Sequence, residues 1–265
     1  MRIRSAAALA LLLLAFAASA AAGQPISSPD SAYADYAAVL SRYVRDGGVD
    51  YAQWKAEDPA AWRRFLAWLE SADPVAWPVA SRRAFWINAY NARVVAGVLR
   101  RYPIDSVRDV GFLGGRLRGF FTRREHPVAG ASRTLDEIER EILLTDPLWD
   151  SRIPWSLTCA SRGCPQLRPE PYRATALERQ LEFQAATYLN SPAGHRLDPE
   201  GRKVYLSRIF DWHREDFERA AGTVRAYALR YLTGTALEAL NAGWEIEYMD
   251  YDWSLNDAGR ERRGI

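Results

Sequence analysis

The two cysteines of the chain, Cys159 and Cys164, are the residues best suited to chemistry. A thiolate is a strong nucleophile, and a pair of thiols can also be oxidised to a disulfide. The apolar run Ile153–Leu157 comes just before Cys159 and predicts a buried strand. Gly163 and Pro165 then predict a tight turn. The sequence therefore predicts a cysteine that a loop presents at the end of a buried element.

Two hypotheses explain this pair of cysteines. In the first, Cys159 is a catalytic nucleophile: the turn 160–163 offers backbone N–H groups to an oxyanion, and Arg162 could lower the thiol pKa. Redox chemistry is a variant of this hypothesis, although the spacing differs from Cys-x-x-Cys. In the second, the two cysteines are structural. Either they form a disulfide, which would stabilise the fold by about 2 kcal/mol, or they are one buried thiol beside one exposed thiol.

A cysteine nucleophile usually needs a neighbouring base, and the chain has three histidines, His126, His195 and His213. His195 lies on a predicted hairpin after Cys159. Because papain-like and transglutaminase-like hydrolases have this order, we predict His195 as the catalytic base by analogy of fold. The competing interpretation is a surface histidine. No histidine or cysteine spacing typical of zinc is present, so the sequence predicts no metal site, and it predicts no cofactor.

Three other polar residues are candidates for binding or for structural hydrogen bonds. Asn88 and Asn91 lie three positions apart in an otherwise apolar helix, where an amide is costly unless it is hydrogen-bonded. They either contact a substrate or tie the helix to the backbone of a loop. Asp211 could orient a base, but pairing with an arginine or capping a helix is its more ordinary role.

The elements that must position these residues are mostly helical. The longest predicted helix runs from Val79 to Arg101 and is stopped by Pro103. Further helix starts are predicted at Thr134, Thr175, Thr223 and Thr235. Strands are predicted at Phe120–Val128 and Trp244–Tyr248 and in a hairpin at His195–Leu206. This pattern predicts an α+β fold, which is a mainly helical single domain with a small antiparallel sheet. By analogy of fold, its layout could be papain-like or transglutaminase-like.

The N-terminus has the pattern of a secretory signal peptide, which we predict over residues 1–22. Arg2 and Arg4 form a basic start, Ala6–Ala18 is apolar and uncharged, and small residues follow it. The apolar run is shorter than the ~20 residues that span a bilayer, so we predict a signal peptide and not a membrane anchor. No later segment is long and apolar enough to span a membrane, so we predict no stable membrane insertion after cleavage. The expected location is the periplasm or the space outside the cell.

The rest of the chain divides into three parts. Residues 23–30 predict a flexible leader, residues 31–256 a single domain, and residues 257–265 a polar tail. Within the domain, the glycine-rich segment Phe112–Gly119 predicts a mobile loop. The sequence contains no repeat and no linker long enough to divide the domain.

The charge of the chain excludes one class of partner. Without Arg2 and Arg4, the 35 basic residues fall to 33, which equals the number of acidic residues. Nucleic-acid-binding proteins carry a net basic face, so we predict no nucleic-acid partner. The partner expected instead is an unknown small molecule or peptide.

Six motifs, in the expected order along nearly the whole chain after residue 22, resemble the family called domain of unknown function 547. They are Val49–Tyr51, Phe85–Ala92, Leu135–Glu139, Cys159–Pro165, Leu206–Trp212 and Tyr251–Asn256. This family occurs in bacteria and plants. The resemblance implies an α+β domain, often exported in bacteria, but no settled activity.

Two positions depart from the pattern of that family. Arg140 and Pro154 stand where the family commonly has histidines, so a mechanism that uses those histidines is not expected here. The sequence leaves two functions open. The chain is either an exported thiol-dependent enzyme that acts through Cys159 on a peptide, amide or redox partner, or a non-catalytic binding or structural domain with a Cys159–Cys164 disulfide.

We predict that the chain is exported and cleaved near Ala20 or Ala22, because small residues there follow a basic start and an apolar run. Mass spectrometry of the N-terminus of the purified envelope protein tests this prediction. A purified protein that still contains residues before Ala18 would contradict it.

Overall fold

The computed structural model describes residues 29–45, 47–111 and 119–263. The predicted signal peptide, the leader up to residue 28 and residues 112–118 of the predicted mobile loop lie outside these ranges. Within them, the α-helices are Pro29–Tyr43 (α1), Tyr51–Glu57 (α2), Ala60–Ser71 (α3), Val79–Arg101 (α4), Ile153–Ser156 (α5), Leu177–Leu189 (α6), Ile209–Trp212 (α7), Arg214–Ala221 (α8), Val224–Ala228 (α9), Gly234–Asn241 (α10) and Ala258–Arg263 (α11). No helix in the described ranges combines the length and apolar composition needed to cross a membrane.

Short strands, a 3₁₀ turn and a π-helix complete the described part of the chain. The strands are Val44–Arg45 (β1), Gly48–Val49 (β2), His126–Val128 (β3), Ala131–Arg133 (β4), His195–Asp198 (β5), Lys203–Leu206 (β6) and Glu245–Tyr248 (β7). A 3₁₀ turn covers Val107–Asp109, and a π-helix covers Glu137–Leu143.

Helix α4 has the predicted bounds, Val79–Arg101, and lies at the centre of the fold. Every residue from Ala84 to Val98 is buried. A helix that is buried on all sides is surrounded by other elements, and its polar side chains must therefore find partners within the protein. The helix ends at Tyr102, whose backbone is extended as expected for a residue that precedes proline.

Two hydrophobic cores meet at the segment that carries the cysteines. The larger core surrounds α4 and includes the fully buried rings of Trp54 and Phe65. The second core packs α6–α10 and the three-stranded sheet around Trp155, whose ring stacks on Phe217 with centroids 4.9 Å apart. Leu157 belongs to the larger core, although Trp155 two residues earlier belongs to the second. The chain thus crosses from one core to the other just before Cys159.

The strands confirm the predicted fold class, a mainly helical α+β single domain. Strands β5 and β6 form the predicted hairpin, in which His195 lies opposite Leu206 in an antiparallel pair. Strand β7 adds to β6 in parallel, with Tyr248 opposite Leu206, because helices α7–α10 carry the chain back between the two strands. The pairs β1–β2 and β3–β4 are short antiparallel hairpins.

The prediction of a buried strand at Ile153–Leu157 is wrong, since Ile153–Ser156 form helix α5. Pro154 is compatible with the first turn of a helix, where its missing N–H is not needed. The Ser156 hydroxyl donates to the Ile153 carbonyl at 2.7 Å. A short apolar run fits a buried strand and a buried helix equally well, and here packing between the two cores decided for the helix.

Two of the predicted helix starts are confirmed by side-chain caps. Thr134 and Glu137 form the predicted capping box: each backbone N–H donates to the other side chain at 2.9 Å. The element that follows is the π-helix rather than an α-helix. Thr223 caps α9 and accepts a hydrogen bond from the N–H of Ala226 at 3.0 Å.

The other two predicted helix starts are displaced. Helix α6 begins at residue 177 without a side-chain cap from Thr175. The carboxylate expected in that capping box, Glu178, instead binds Arg152 at 2.6 Å. Thr233, not Thr235, directly precedes α10. In both cases, contacts with distant segments moved the start of the helix away from the threonine that local capping preference predicts.

Two further boundaries differ from expectation. The strand predicted over Phe120–Val128 comprises only His126–Val128. The segment predicted as a polar tail includes α11, and Asp257 at its start is 2% exposed. The hydroxyl of Tyr102 donates to Asp257 at 2.7 Å, which anchors this end of the chain to the residue after α4.

Two asparagines of α4 bind the backbone on either side of the cysteines, and both are buried. The Asn88 amide donates to the carbonyl of Tyr172 at 2.8 Å and accepts from the N–H of the same residue at 2.9 Å. Asn91 donates to the Ser156 carbonyl at 2.9 Å and accepts from the Thr158 N–H at 2.8 Å. These contacts match the structural alternative considered for both residues, in which the helix is tied to loop backbone.

We expect the substitution Asn88→Ala to lower the free energy of unfolding by about 1–3 kcal/mol, because it leaves the backbone groups of Tyr172 buried without partners. Chemical denaturation of the purified protein measures this loss. Thr187→Ala, an exposed substitution on α6, is the control and should change stability little. An unchanged midpoint for Asn88→Ala would contradict the prediction.

Candidate functional site

A cleft of about 540 Å³ is lined by residues of both cores, and Cys159 lies on its wall. Cys159 is half-buried, whereas Cys164 is only 6% exposed. A volume of this size suits a small ligand or a few side chains. The other wall residues that matter for chemistry are Tyr90, Glu139, His213, Tyr251 and Trp253.

Both cysteines are free thiols. The backbone N–H of Cys159 donates to the sulfur of Cys164 at 2.7 Å, and the two thiols also hydrogen-bond to each other. The disulfide that one of the two sequence hypotheses included is therefore not formed. The structure holds the pair in its reduced state. Both residues line the cleft, and Cys159 is the more exposed of the two.

Hydrogen bonds make the two thiols unequal. The sulfur of Cys159 lies 2.9 Å from the Ser161 hydroxyl and 3.2 Å from the Tyr251 hydroxyl. Burial raises the pKa of Cys159, but hydrogen bonds from Cys164, Ser161 and Tyr251 outweigh it and hold that pKa below its ordinary value. Burial and the neighbouring Cys159 raise the pKa of Cys164 well above its ordinary value. Loss of a proton from the pair is therefore favoured at Cys159.

The cysteine loop, residues 159–164, is bound along its length to the C-terminal strap, residues 252–256. Ser161 and Leu255 form an antiparallel bridge. The N–H groups of Ala160, Arg162 and Gly163 donate to Thr158 Oγ1, Ser254 O and Asp252 O, respectively. Three of the N–H groups that were predicted to be available to an oxyanion therefore already have partners within the protein.

The structure does not bring His195 to the cleft. His195 lies on β5, and its Nδ1 is 2.8 Å from the carbonyl of Leu189. Asp211 also lies outside the residues that line the cleft, and it forms ion pairs with Arg208 at 3.6 Å and Arg214 at 3.3 Å. That pairing with arginine is the ordinary role considered for Asp211.

The histidine in the cleft is His213, which sequence reasoning did not select. Its Nε2 lies 3.2 Å from Glu139 and its Nδ1 lies 3.6 Å from Asp216. Burial lowers the pKa of His213, but hydrogen bonds to Asp216 and Glu139 outweigh it and raise the pKa to about 9. The one available signal was position, because His213 directly follows the motif that ends at Trp212.

This charged histidine is part of a larger polar network. The hydroxyl of Tyr90 donates to Glu139 at 3.3 Å, and the indole N–H of Trp149 donates to Asp216 at 2.7 Å. His213 lowers the pKa of both carboxyl groups despite their burial. Both ring nitrogens of His213 thus face carboxylates, and a pKa of about 9 keeps the ring protonated at neutral pH, so it is not placed to accept a proton from Cys159.

Both departures from the family pattern, Arg140 and Pro154, line the same cleft. Among the described residues, no three histidine, cysteine, aspartate or glutamate side chains are grouped so that they could hold a metal ion. What the arrangement offers chemically is a thiolate, a second thiol and hydroxyl donors.

The fold and the site together define a mainly helical α+β domain with an unequal pair of reduced thiols at a cleft. Residues 74–189 match the model of the family described as a protein of unknown function, DUF547, which confirms the resemblance seen in the sequence. The matched residues include α4 and the cysteine loop. No curated protein and no solved structure matches the chain.

We expect His213 to make stability depend on pH. Its pKa is raised from 6.5 to about 9, so its contribution is fully present below pH 6.5 and is lost as pH rises through about 9. The shift corresponds to about 3 kcal/mol. Denaturation curves at a series of pH values should show this loss in the wild-type protein and not in His213→Gln.

His195→Gln is the matched control and should keep the wild-type pH dependence, since His195 lies outside the cleft and contacts no carboxylate in the described structure. The cysteines titrate in all three proteins, so their effect cancels in the comparison. If His213→Gln lost stability with rising pH as steeply as the wild type, the network would not have the charge assigned here.

Proposed function

We propose that the protein is a thiol-dependent enzyme that exchanges disulfides through Cys159, with a peptide or another redox partner as substrate. The observation that carries this proposal is the contact between a cleft-facing Cys159 and a buried, free Cys164, whose sulfur accepts a hydrogen bond from the N–H of Cys159. Two-step exchange needs a reactive thiol open to substrate and a second thiol beside it.

The surroundings of Cys159 favour exchange over acyl transfer to or from a peptide or amide. Acyl transfer needs a base near the nucleophile and free donors for the oxyanion. Both ring nitrogens of His213 face carboxylates, and the N–H groups of the cysteine loop already have acceptors. Exchange needs neither feature, since its nucleophile is a thiolate from the start and its leaving group is a thiolate as well.

The proposed reaction has two steps. The Cys159 thiolate attacks one sulfur of a substrate disulfide, which forms a mixed disulfide and releases the other substrate sulfur as a thiolate. Cys164 then loses its proton to solvent or to that thiolate and attacks the Cys159 sulfur, which forms the Cys159–Cys164 disulfide and releases the second substrate thiolate. The substrate gains two electrons and the cysteine pair loses them. In the reverse direction, the pair oxidises a dithiol.

The pattern of residues 1–22 supports a location in the periplasm or outside the cell for this reaction. Disulfides form and persist in such oxidising compartments, so substrates of the required class are present there. The reaction itself needs no metal and no organic cofactor, because the two sulfurs supply both electrons.

A non-catalytic binding domain is the second candidate function. The observation that favours it is Trp212, a large apolar residue that is 41% exposed on the wall of the cleft. Exposed aromatic rings at a concave site are typical of ligand binding, with or without chemistry. The reactivity of Cys159 separates the two functions.

In the reduced wild-type protein, Cys159 should react with iodoacetamide at pH 7 severalfold faster than a free cysteine model, because hydrogen bonds stabilise its thiolate. Cys164 should react much more slowly, because it is buried and protonated. Peptide mapping by mass spectrometry gives the rate of each thiol against pH. Tyr251→Phe should slow Cys159, and Tyr248→Phe, outside the cleft lining, should not.

The second step predicts a difference between wild type and Cys164→Ser. With a peptide disulfide as substrate, the mixed disulfide on Cys159 should accumulate in Cys164→Ser, which lacks the resolving thiol, and should be transient in the wild type. Intact-mass measurement after acid quenching follows both species. A Cys159 that is no more reactive than free cysteine, or a mixed disulfide equally stable in both proteins, would favour binding without catalysis.

A further inference from the structure

We propose that the substrate is a peptide disulfide with an uncharged aromatic side chain next to its cysteine. This proposal rests on the proposed function, in which Cys159 is the reactive sulfur. The aromatic side chain would lie in the cleft against three rings, while Cys159 attacks the neighbouring sulfur. The proposal follows from the position of those rings, from the balance of charge in the cleft and from the size of the cleft.

Three rings form an aromatic wall, which consists of Trp212, Tyr251 and Trp253. Tyr251 lies 4.7 Å from each tryptophan ring, and the two tryptophans are 5.7 Å apart. The wall begins at the reactive sulfur, because the Tyr251 hydroxyl lies 3.2 Å from Cys159. Trp212, at its other end, is 41% exposed, so an apolar ring face is available beside the nucleophile.

Apart from the reacting sulfur of Cys159, the charged side chains that line the cleft are balanced. Asp136 and Glu139 are acidic, Arg140 is basic, and His213 is held as a cation between two carboxylates. A charged ligand gains little from such surroundings and would lose its hydration on entry. Shape and apolar contact must therefore select the side chain beside the sulfur, and a strongly anionic or cationic side chain is disfavoured there relative to its reaction with a free thiolate.

The remaining walls favour the same occupant. Leu157 and Ile209 are buried apolar residues of the lining, and Phe121 and Pro154 add further apolar surface. A volume of about 540 Å³ accepts one or two side chains with a stretch of backbone but not a folded domain. The occupant is therefore a flexible peptide segment, with its aromatic ring against the aromatic wall.

Methanethiosulfonates test this proposal with a constant reactive group. The Cys159 thiolate attacks the sulfur that bears the substituent, which forms a disulfide with that substituent and releases methanesulfinate. The benzyl reagent presents an uncharged ring, the methyl reagent presents none, and sulfonatoethyl and trimethylammonioethyl reagents present opposite charges. Loss of the free Cys159 thiol, followed by mass spectrometry of the wild-type protein and its variants, gives each rate.

In the wild type, the benzyl reagent should be preferred to the methyl reagent more strongly than it is by a free cysteine model. Each charged reagent, with its rate divided by its rate on the same model, should be slower than benzyl. Trp212→Ala should lower the benzyl-to-methyl ratio about 3- to 10-fold, the range expected for loss of one aromatic contact. Trp212→Leu, which keeps apolar bulk, should lower it less. Phe183→Ala, an exposed aromatic residue that does not line this cleft, should leave the ratio unchanged.

A benzyl-to-methyl ratio that Trp212→Ala does not change, or a charged reagent as fast as benzyl once each rate is divided by its free cysteine rate, would overturn the proposal. Failure of the proposed function has a different signature: a Cys159 that reacts with the methyl reagent no faster than free cysteine. In that case the aromatic subsite is decided by titration with benzyl methyl sulfide, which has no reactive sulfur bond. Shifts of the Trp212 and Trp253 indole N–H resonances would support the subsite, and their absence would exclude it.

Discussion

The hydrogen bonds between the Asn91 amide and the backbone at Ser156 and Thr158 hold the cysteine loop against the central helix. Asn91 is 3% exposed, so both ends of its amide need partners within the protein. The backbone between helix α5 and the loop has no strand or helix partner at these atoms and needs partners for the same reason. One side chain meets both needs, and the position of Cys159 in the cleft depends on it.

The C-terminal strap holds the other side of the loop. Ala160 has a positive φ of 62°, a left-handed conformation that costs a residue with a Cβ about 1–2 kcal/mol. The Ala160 carbonyl accepts a hydrogen bond from Asn256 at 3.1 Å, and bonds from the following N–H groups to the strap offset this strain. Tyr251 directly precedes the strap, and its hydroxyl lies beside the sulfur of Cys159. The same contacts therefore shape the loop, occupy its donors and supply a hydroxyl to the thiol.

Charge in the cleft is arranged in compensated groups. Hydrogen bonds favour negative charge on the sulfur of Cys159, and burial disfavours it on the sulfur of Cys164. His213 lies between Glu139 and Asp216, where each partner stabilises the charged form of the other. Buried charges are tolerated only with such partners. The His213 imidazolium therefore pairs with its two carboxylates. In a cysteine hydrolase, by contrast, the histidine is a free base.

Local signals in the sequence determined the helical framework: the periodicity and flanking prolines of Val79–Arg101 define the central helix, and the amides within it had to be bonded. The sequence also singled out Cys159, which lies on the wall of the cleft. Tertiary structure alone decided that Ile153–Ser156 is helical and that His213, not His195, lies in the cleft. The physical reason is that a thiol pKa, a charge pair or a free donor depends on burial and on hydrogen bonds between residues far apart in the chain, whereas periodicity and capping report only on neighbours.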